Sequence, residues 1–298
     1  MSSFRAIAAV VGYDFKMWKK NPRIIATFVL SFILCYLMSN KVVSFAEEHN
    51  TPLQAVEAFI WTFGDSSSIL LSSMMLVLLF ADMPFLSAGT AFYLVRTTRR
   101  SWITGQIFYI VLATCIYMFF ILASTTILCI GQSYSANIWS QTAAILGYTN
   151  AGKRIVVPAL VKTLEMSWPY PCMVMIFLLM LGYTLVMVLL MMAVTLRLGQ
   201  KSGVVSVFIF SVYGFLMKPT TIETLFRLPP EAFYKANVAI GWLSPLNHAT
   251  YHMHNFGYDL LPRMWQSFAI FGLLIGLGWL ASLRAIKNYN FNFTGTEG

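Results

Sequence analysis

Six long apolar runs divide the sequence, and short basic segments separate several of them. A helix needs about 17–25 apolar residues to cross a membrane, and only the fifth run is clearly shorter than that. We therefore predict an all-α, polytopic membrane protein with six transmembrane helices, folded as one domain over residues 1–298. The predicted spans are residues 24–41, 68–90, 104–130, 171–196, 203–217 and 266–283.

The two ends of this pattern predict helices that do not cross the membrane. Residues 1–23 mix basic residues with an apolar side and lack a small-residue cleavage site, which favours an N-terminal amphipathic interfacial helix over a cleavable signal peptide. Residues 218–265 are rich in proline and aromatic residues and too apolar for a solvated linker. They predict short outer helices before the last span, in part re-entrant and covered by protein. The apolar side of the first helix comprises Phe4, Ile7, Val10, Val11, Phe15 and Trp18.

The net charge of +9 is distributed unevenly along the chain. Short loops on the side of both termini hold the basic residues, whereas the other side balances its charges. This is the positive-inside pattern, so both termini are predicted to be cytoplasmic. We interpret the excess of basic residues mainly as a signal of membrane topology, and secondly as a means of contact with membrane lipids. It gives no reason to expect binding of nucleic acid. The basic residues on the predicted inner side are Arg5, Lys16, Lys19, Lys20, Arg23, Arg96, Arg99, Arg100, Arg197, Lys201, Arg284 and Lys287.

A carboxylate and a proline interrupt the second apolar run. Asp82 stands in an apolar environment, where an ionised group is costly and needs a partner. It could serve an ion-coupled secondary carrier, or it could cap a helix piece starting at Met83-Pro84 or pair with Arg96 or Arg99. We favour the structural role because no second intramembrane acid or base accompanies Asp82, and Pro84 predicts a kink.

Two motifs suggest chemistry without completing it. Residues 147–153 match Gly-x-x-x-x-Gly-Lys, but Arg154 replaces the Ser or Thr that a phosphate-binding loop needs for magnesium. His248 and His252 are four residues apart and could share a helix face, with Asp259 as a third metal ligand. This spacing leaves open a membrane-embedded, metal-dependent enzyme, although packing among aromatic side chains explains the histidines better.

Four cysteines lie in or beside the predicted spans, without paired spacing. We interpret Cys35, Cys115, Cys129 and Cys172 as small apolar packing residues. A disulfide between Cys129 and Cys172 stays open because both fall near the outer ends of spans.

A basic connector, residues 91–103, follows the second span. Arg96 and Arg99 are three residues apart and share a helix face, followed by Arg100, while Tyr93 and Trp102 provide an aromatic anchor at each end. These features favour a short interfacial helix on the cytoplasmic side.

The order of elements and three stretches of sequence resemble the type-2 ATP-binding-cassette (ABC) exporter permeases, in particular those of Gram-positive, clostridia-like bacteria. The stretches are Asp82-Met-Pro-Phe, residues 93–106 and residues 244–259. The resemblance covers nearly the whole chain, and the short fifth run departs from it.

The resemblance implies a permease subunit in the bacterial cytoplasmic membrane, paired with a second permease copy or a related permease. Two cytoplasmic ABC ATPase subunits would bind and hydrolyse ATP, so this chain would need no cofactor of its own. The connector would be the coupling helix that docks on the ATPase through Tyr93, Arg96, Arg99, Arg100 and Trp102. The cargo, whether lipid, peptide antibiotic, drug or polysaccharide, does not follow from it.

Overall fold

The computed structural model describes residues 3–19, 21–85, 97–149, 151–217, 219–227, 229–257, 259–287 and 289. Six longer helices carry most of the fold: α2 (Pro22–Glu48), α4 (Ser66–Phe80), α5 (Arg99–Cys129), α9 (Pro169–Leu198), α10 (Gln200–Leu216) and α14 (Met264–Lys287). Helix α1 (Ser3–Trp18) precedes them. The shorter helices are α3 (Glu57–Thr62), α6 (Gln141–Tyr148), α7 (Ala151–Ile155), α8 (Val161–Met166), α11 (Pro219–Phe226), α12 (Phe233–Leu243), α13 (Pro245–Ala249) and the 3₁₀ turns Pro230–Ala232 and Tyr251–Met253.

Four of the described helices, α2, α5, α9 and α14, are long and apolar enough to cross a membrane. Helices α10 and α11 form a pair bent by 78°, which would make a fifth span if the two halves act as one. Helix α4 is apolar but has only 15 residues. The chain is therefore an all-α, multi-pass membrane protein with four, or up to five, helices that meet the requirement for a span.

Local capping explains where several helices begin. The Asn21 side chain accepts a hydrogen bond from the backbone of Arg23 ahead of α2, and the Asp65 side chain accepts one from Ser68 ahead of α4. Each of these oxygens satisfies a backbone N–H that lacks a partner in the first helical turn. Between α9 and α10, Gly199 has φ 91°, a backbone conformation that only glycine adopts without strain.

Contacts between the helix ends define two ends of the molecule. The first, which we call the basic end, gathers the starts of α2, α5 and α10 with the ends of α4 and α14. The second, which we call the loop end, gathers residues 49–65, 130–168 and 244–263. By the positive-inside rule the basic end is the predicted cytoplasmic end.

The core between the two ends is apolar but contains buried hydroxyl groups. Tyr117 of α5 is fully buried, and its hydroxyl lies 3.2 Å from Ser31 Oγ of α2 and 3.2 Å from Ser72 Oγ of α4. Small hydroxylated residues of this kind allow helices to approach closely in a membrane and link them by hydrogen bonds. The contacts of Tyr117 thus hold three helices together.

A compact group of short elements forms the loop end. Strand β1 (Leu53–Gln54) pairs in parallel with β2 (Ser133–Tyr134). Glu57 of α3 is buried and accepts hydrogen bonds from Ser140 N at 2.7 Å, Ser140 Oγ at 2.6 Å and Gln54 N at 3.3 Å. Burial raises the pKa of Glu57 to about 7, and these hydrogen bonds counteract part of that rise. The carboxyl therefore fixes α3 against the start of α6.

The structure revises several predicted boundaries. Helix α2 continues to Glu48, well beyond the predicted limit at residue 41, and α4 ends at Phe80 instead of crossing the predicted break. This end precedes Asp82 and Pro84, where the sequence predicts a break, and residues 86–90 of the predicted second span lie outside the described residues. Residues 218–265 contain three short helices, α11, α12 and α13, as expected for this segment, and their predicted position on the outer side stays a prediction.

The cysteines and the first helix also have defined environments. All four cysteines are free, and Cys35, Cys129 and Cys172 are buried in the apolar core, which confirms their packing role and leaves no disulfide between Cys129 and Cys172. Helix α1 packs on α5, with Val10 buried and Phe4 exposed.

Candidate functional site

The described part of the connector is continuous with a long helix. Tyr93 and Arg96 lie outside the described residues. Thr98 caps α5 by accepting a hydrogen bond from Ser101 N at 3.1 Å, so Arg99, Arg100 and Trp102 form its first turn. Residues 99–103 of the predicted connector are therefore continuous with the helix that contains the predicted span from residue 104.

Arg99 joins the start of α5 to the end of α14. Its Nη1 donates hydrogen bonds to the backbone oxygens of Ile286, at 2.9 Å, and Lys287, at 2.6 Å. The last carbonyl groups of a helix lack partners within the helix and carry partial negative charge, so a guanidinium group there is favourable. Arg99 thus acts as a tie between two long helices at the basic end.

Trp102 is buried within the chain itself, only 3% exposed. It belongs to an apolar cluster with Val10 of α1, Leu189 and Met192 of α9, and Ile286 of α14. Arg100, by contrast, is exposed. Arg99 is exposed too, but its guanidinium group is engaged by the end of α14. Of the three described residues of the predicted docking set, Arg99 and Trp102 therefore attach the first turn to the rest of the protein, and no contact of this kind holds the Arg100 side chain among the described residues.

Asp82 lies at the centre of a polar network at the basic end. Its carboxylate forms an ion pair with Arg23 and accepts hydrogen bonds from Asn21 Nδ2 at 2.8 Å and Gln200 Nε2 at 2.9 Å. The structural role predicted for Asp82 agrees with this network, but its ion-pair partner is Arg23 and not Arg99. An ion-coupled carrier would have to displace these partners before Asp82 could bind a transported ion.

A second buried carboxyl group lies nearby on α1. Asp14 is 2% exposed and accepts a hydrogen bond from Gln106 Nε2 at 2.8 Å. Burial raises the pKa of Asp14 from 3.8 to about 7, and the hydrogen bond from Gln106 lowers it by a smaller amount. Asp14 is four residues from both Val10 and Trp18, so it lies on the apolar side of α1. This spacing is the feature of the sequence that could have predicted its burial.

Each of the three histidines at the loop end takes part in a hydrogen bond within the protein, and His252 has a different partner from the other two. His248 Nδ1 and His254 Nε2 each lie 2.8 Å from Ser267 Oγ, and His252 Nδ1 lies 3.1 Å from the Gly64 carbonyl oxygen. Burial lowers the pKa of all three, to about 4 for His252 and for His254.

The predicted third metal ligand is committed elsewhere as well, because Asp259 forms an ion pair with Lys162. Within the described ranges, no three His, Cys, Asp or Glu side chains are grouped so that they could hold a metal ion. The geometry therefore gives no support to a metal site built from His248, His252 and Asp259.

The stretch that resembles a phosphate-binding loop belongs to the loop end, between α6 and α7. Its glycines satisfy packing: a Cβ on Gly152 would lie 2.6 Å from the Leu146 carbonyl oxygen. The close approach of the backbone therefore accounts for this glycine without a nucleotide.

A scan against protein-family models finds no match for this chain, and searches of curated proteins and of solved structures find none either. The case for a function accordingly rests on the residues and on their geometry.

Proposed function

We propose that this chain is the permease subunit of an ABC transporter in the cytoplasmic membrane, and more specifically of an exporter. A separate ATPase would bind ATP and dock at the basic end, and a second permease copy or a related permease would complete the pathway for cargo. The observation that carries the proposal is the attachment of the first turn of α5 to several other helices.

This attachment supports the proposal through its mechanical consequence. Arg99 ties the turn to α14, and Trp102 packs it against α1 and α9. A displacement of this turn would therefore move α5 together with α1, α9 and α14 instead of bending α5 alone. Energy from a docked ATPase needs such a connection, because the coupling must pass through packed elements with defined arrangements.

The contacts at this end suggest which residue to vary. Arg100 is exposed beside the tied residues, so its charge can be reversed without breaking the described contacts of Arg99 or Trp102. Arg197, exposed in the last turn of α9 at the same end, provides a matched control in which an equal charge on the predicted cytoplasmic side is reversed.

The test is co-purification of the chain with an ATPase subunit, identified by its own phosphate-binding loop and by ATP hydrolysis. We expect Arg100→Glu to reduce the retained ATPase at least about tenfold, since an exposed interfacial charge that becomes repulsive costs on the order of 1.4 kcal/mol or more. Arg197→Glu should retain it. The proposal fails if no ATPase is retained by the unaltered chain, or if both variants behave alike.

A further inference from the structure

A large cleft opens at the loop end, between α2, α4 and the segment from α6 to α8. Its volume is about 1370 Å³. Sites for small molecules usually measure about 300–1,000 Å³, so this cleft is large enough for a bulky ligand. It is distinct from the basic end, where the proposed ATPase would dock.

The wall formed by α2 changes from apolar to cationic along one helix face. Leu34, Leu37, Met38 and Lys41 line the cleft at helical spacing. A rise of 1.5 Å per residue places Lys41 about 10 Å beyond Leu34 along the helix. Leu71 of α4 extends the apolar part of the wall, and both Leu37 (56% exposed) and Leu71 (50% exposed) are open to a ligand.

The polar part of the lining carries more positive than negative charge. Lys41 and Lys153 are exposed, and neither forms an ion pair with any residue that the structure describes. Lys162 pairs with Asp259, and Asp65 uses one carboxylate oxygen to cap α4. The two free lysines therefore provide an unneutralised cationic rim above an apolar wall.

We propose that this cleft binds an anionic phospholipid, with its acyl chains against the apolar wall and its phosphate at the rim formed by Lys41 and Lys153. Charge complementarity selects the head group, because a lysine near the membrane surface attracts anionic lipid. The amphipathic order of the lining selects a lipid over a soluble anion. The assignment gives Lys153, the last residue of the Gly-x-x-x-x-Gly-Lys stretch, a role in binding a membrane phosphate. It concerns binding alone and stands whether or not an ATPase docks at the basic end.

The test uses the full chain in nanodiscs with phosphatidylglycerol that carries a photoactivatable group in one acyl chain. Mass spectrometry of the labelled peptides should locate the label on α2 and α4 around Leu37 and Leu71. Unlabelled phosphatidylglycerol should compete, whereas phosphatidylcholine with the same acyl chains should compete far less. Glycerol phosphate, the head group without chains, should not compete.

Two kinds of variant separate the rim from the wall. Lys41→Gln with Lys153→Gln should weaken competition by phosphatidylglycerol about 25-fold, at about fivefold per lysine. Lys235→Gln with Arg263→Gln removes the same charge from exposed sites outside the lining and should leave the competition unchanged. Leu37→Trp adds bulk without changing charge and should reduce labelling of the cleft.

Several results would overturn the assignment. If phosphatidylcholine competed as well as phosphatidylglycerol, the lysine rim would have no role in selecting the head group. If glycerol phosphate displaced the photoactivatable lipid, the ligand would be a soluble phosphate. An absence of label on α2 and α4 in the unaltered chain would show that no lipid reaches the wall. Labelling that is unaffected by both the lysine pair and Leu37→Trp would show that the lipid binds elsewhere.

Discussion

The replacement Asp14→Asn tests whether the buried carboxyl of α1 is protonated near neutral pH. Gln106 Nε2 donates to Asp14, while Gln106 Oε1 is buried and has no hydrogen-bond partner among the described residues. A protonated carboxyl, or an amide in its place, can donate to this oxygen, which an ionised carboxylate cannot do. The unpaired oxygen and the raised pKa of Asp14 therefore both indicate that its carboxyl group is protonated in the folded protein.

The magnitude follows from the shift in the pKa of Asp14 from 3.8 to about 7 on folding. At about 1.4 kcal/mol per pKa unit, the folded state loses about 4 kcal/mol once the carboxyl is fully ionised. A raised pKa means that this stability is fully present below about pH 3.8 and is lost as the pH rises to about 7. Asp14→Asn removes this dependence of stability on pH. The free energy of unfolding of the variant, relative to that of the unaltered protein, should therefore increase by about 2–3 kcal/mol between pH 5 and pH 8.

The assay is the free energy of unfolding of the purified protein in detergent, measured at both pH values by denaturant titration. Glu47→Gln, which neutralises an exposed carboxylate on α2, is the matched control. The difference in free energy of unfolding between this variant and the unaltered protein should be the same at pH 5 and pH 8. Other titrating groups, including Glu57, cancel because every variant retains them. An advantage of Asp14→Asn that is equal at pH 5 and pH 8 would refute the reasoning.

Three further changes test the contacts that fix the ends of the molecule. Asp82→Asn and Arg23→Gln, measured singly and together in unfolding titrations, should show a coupling energy of about 1 kcal/mol, and additive effects would contradict a working ion pair. Gly105→Ala would place a Cβ 2.8 Å from Val10 Cβ and should destabilise the protein by about 1–3 kcal/mol, with greater proteolysis of α1. Ser140→Ala removes a helix cap and a hydrogen bond to a buried carboxylate, so unfolding titrations should show a loss of about 2–3 kcal/mol; an unchanged stability would contradict that assignment.

The positions of the long helices could be predicted because apolar runs mark the part of a helix that lies in the membrane. Helix α9, for example, extends only two residues beyond the predicted span at each end. Helix α2 exceeds its prediction by seven residues at its C-terminal end because residues 42–48 include polar groups. A helix can continue past the hydrocarbon, since its backbone hydrogen bonds do not depend on the bilayer. Apolar runs therefore identify spans better than they identify helix ends.

The partners of polar residues could not be predicted in the same way. The cost of an unpaired carboxylate in an apolar region indicated that Asp82 needs a partner, but not which one. Arg23 is 59 residues away in sequence, and no periodicity relates the two. Similarly, the sequence pattern of an aromatic residue next to basic residues is the same whether the aromatic side chain anchors in lipid or packs inside the protein. Only the convergence of α1, α9 and α14 on Trp102 decides between these environments.

The same two helices connect the basic end to the cleft. Arg23 of α2 and Asp82, just after α4, form the ion pair at one end, while Lys41 of α2 and Leu71 of α4 line the cleft towards the other. Helices transmit displacement along their length because their hydrogen bonds resist bending. A shift of α4 relative to α2 at the ion pair would therefore change the width of the cleft. Under the proposed function, this shift gives an ATPase at the basic end a physical route to a lipid bound about 16 Å or more along α2, without any contact between the two sites.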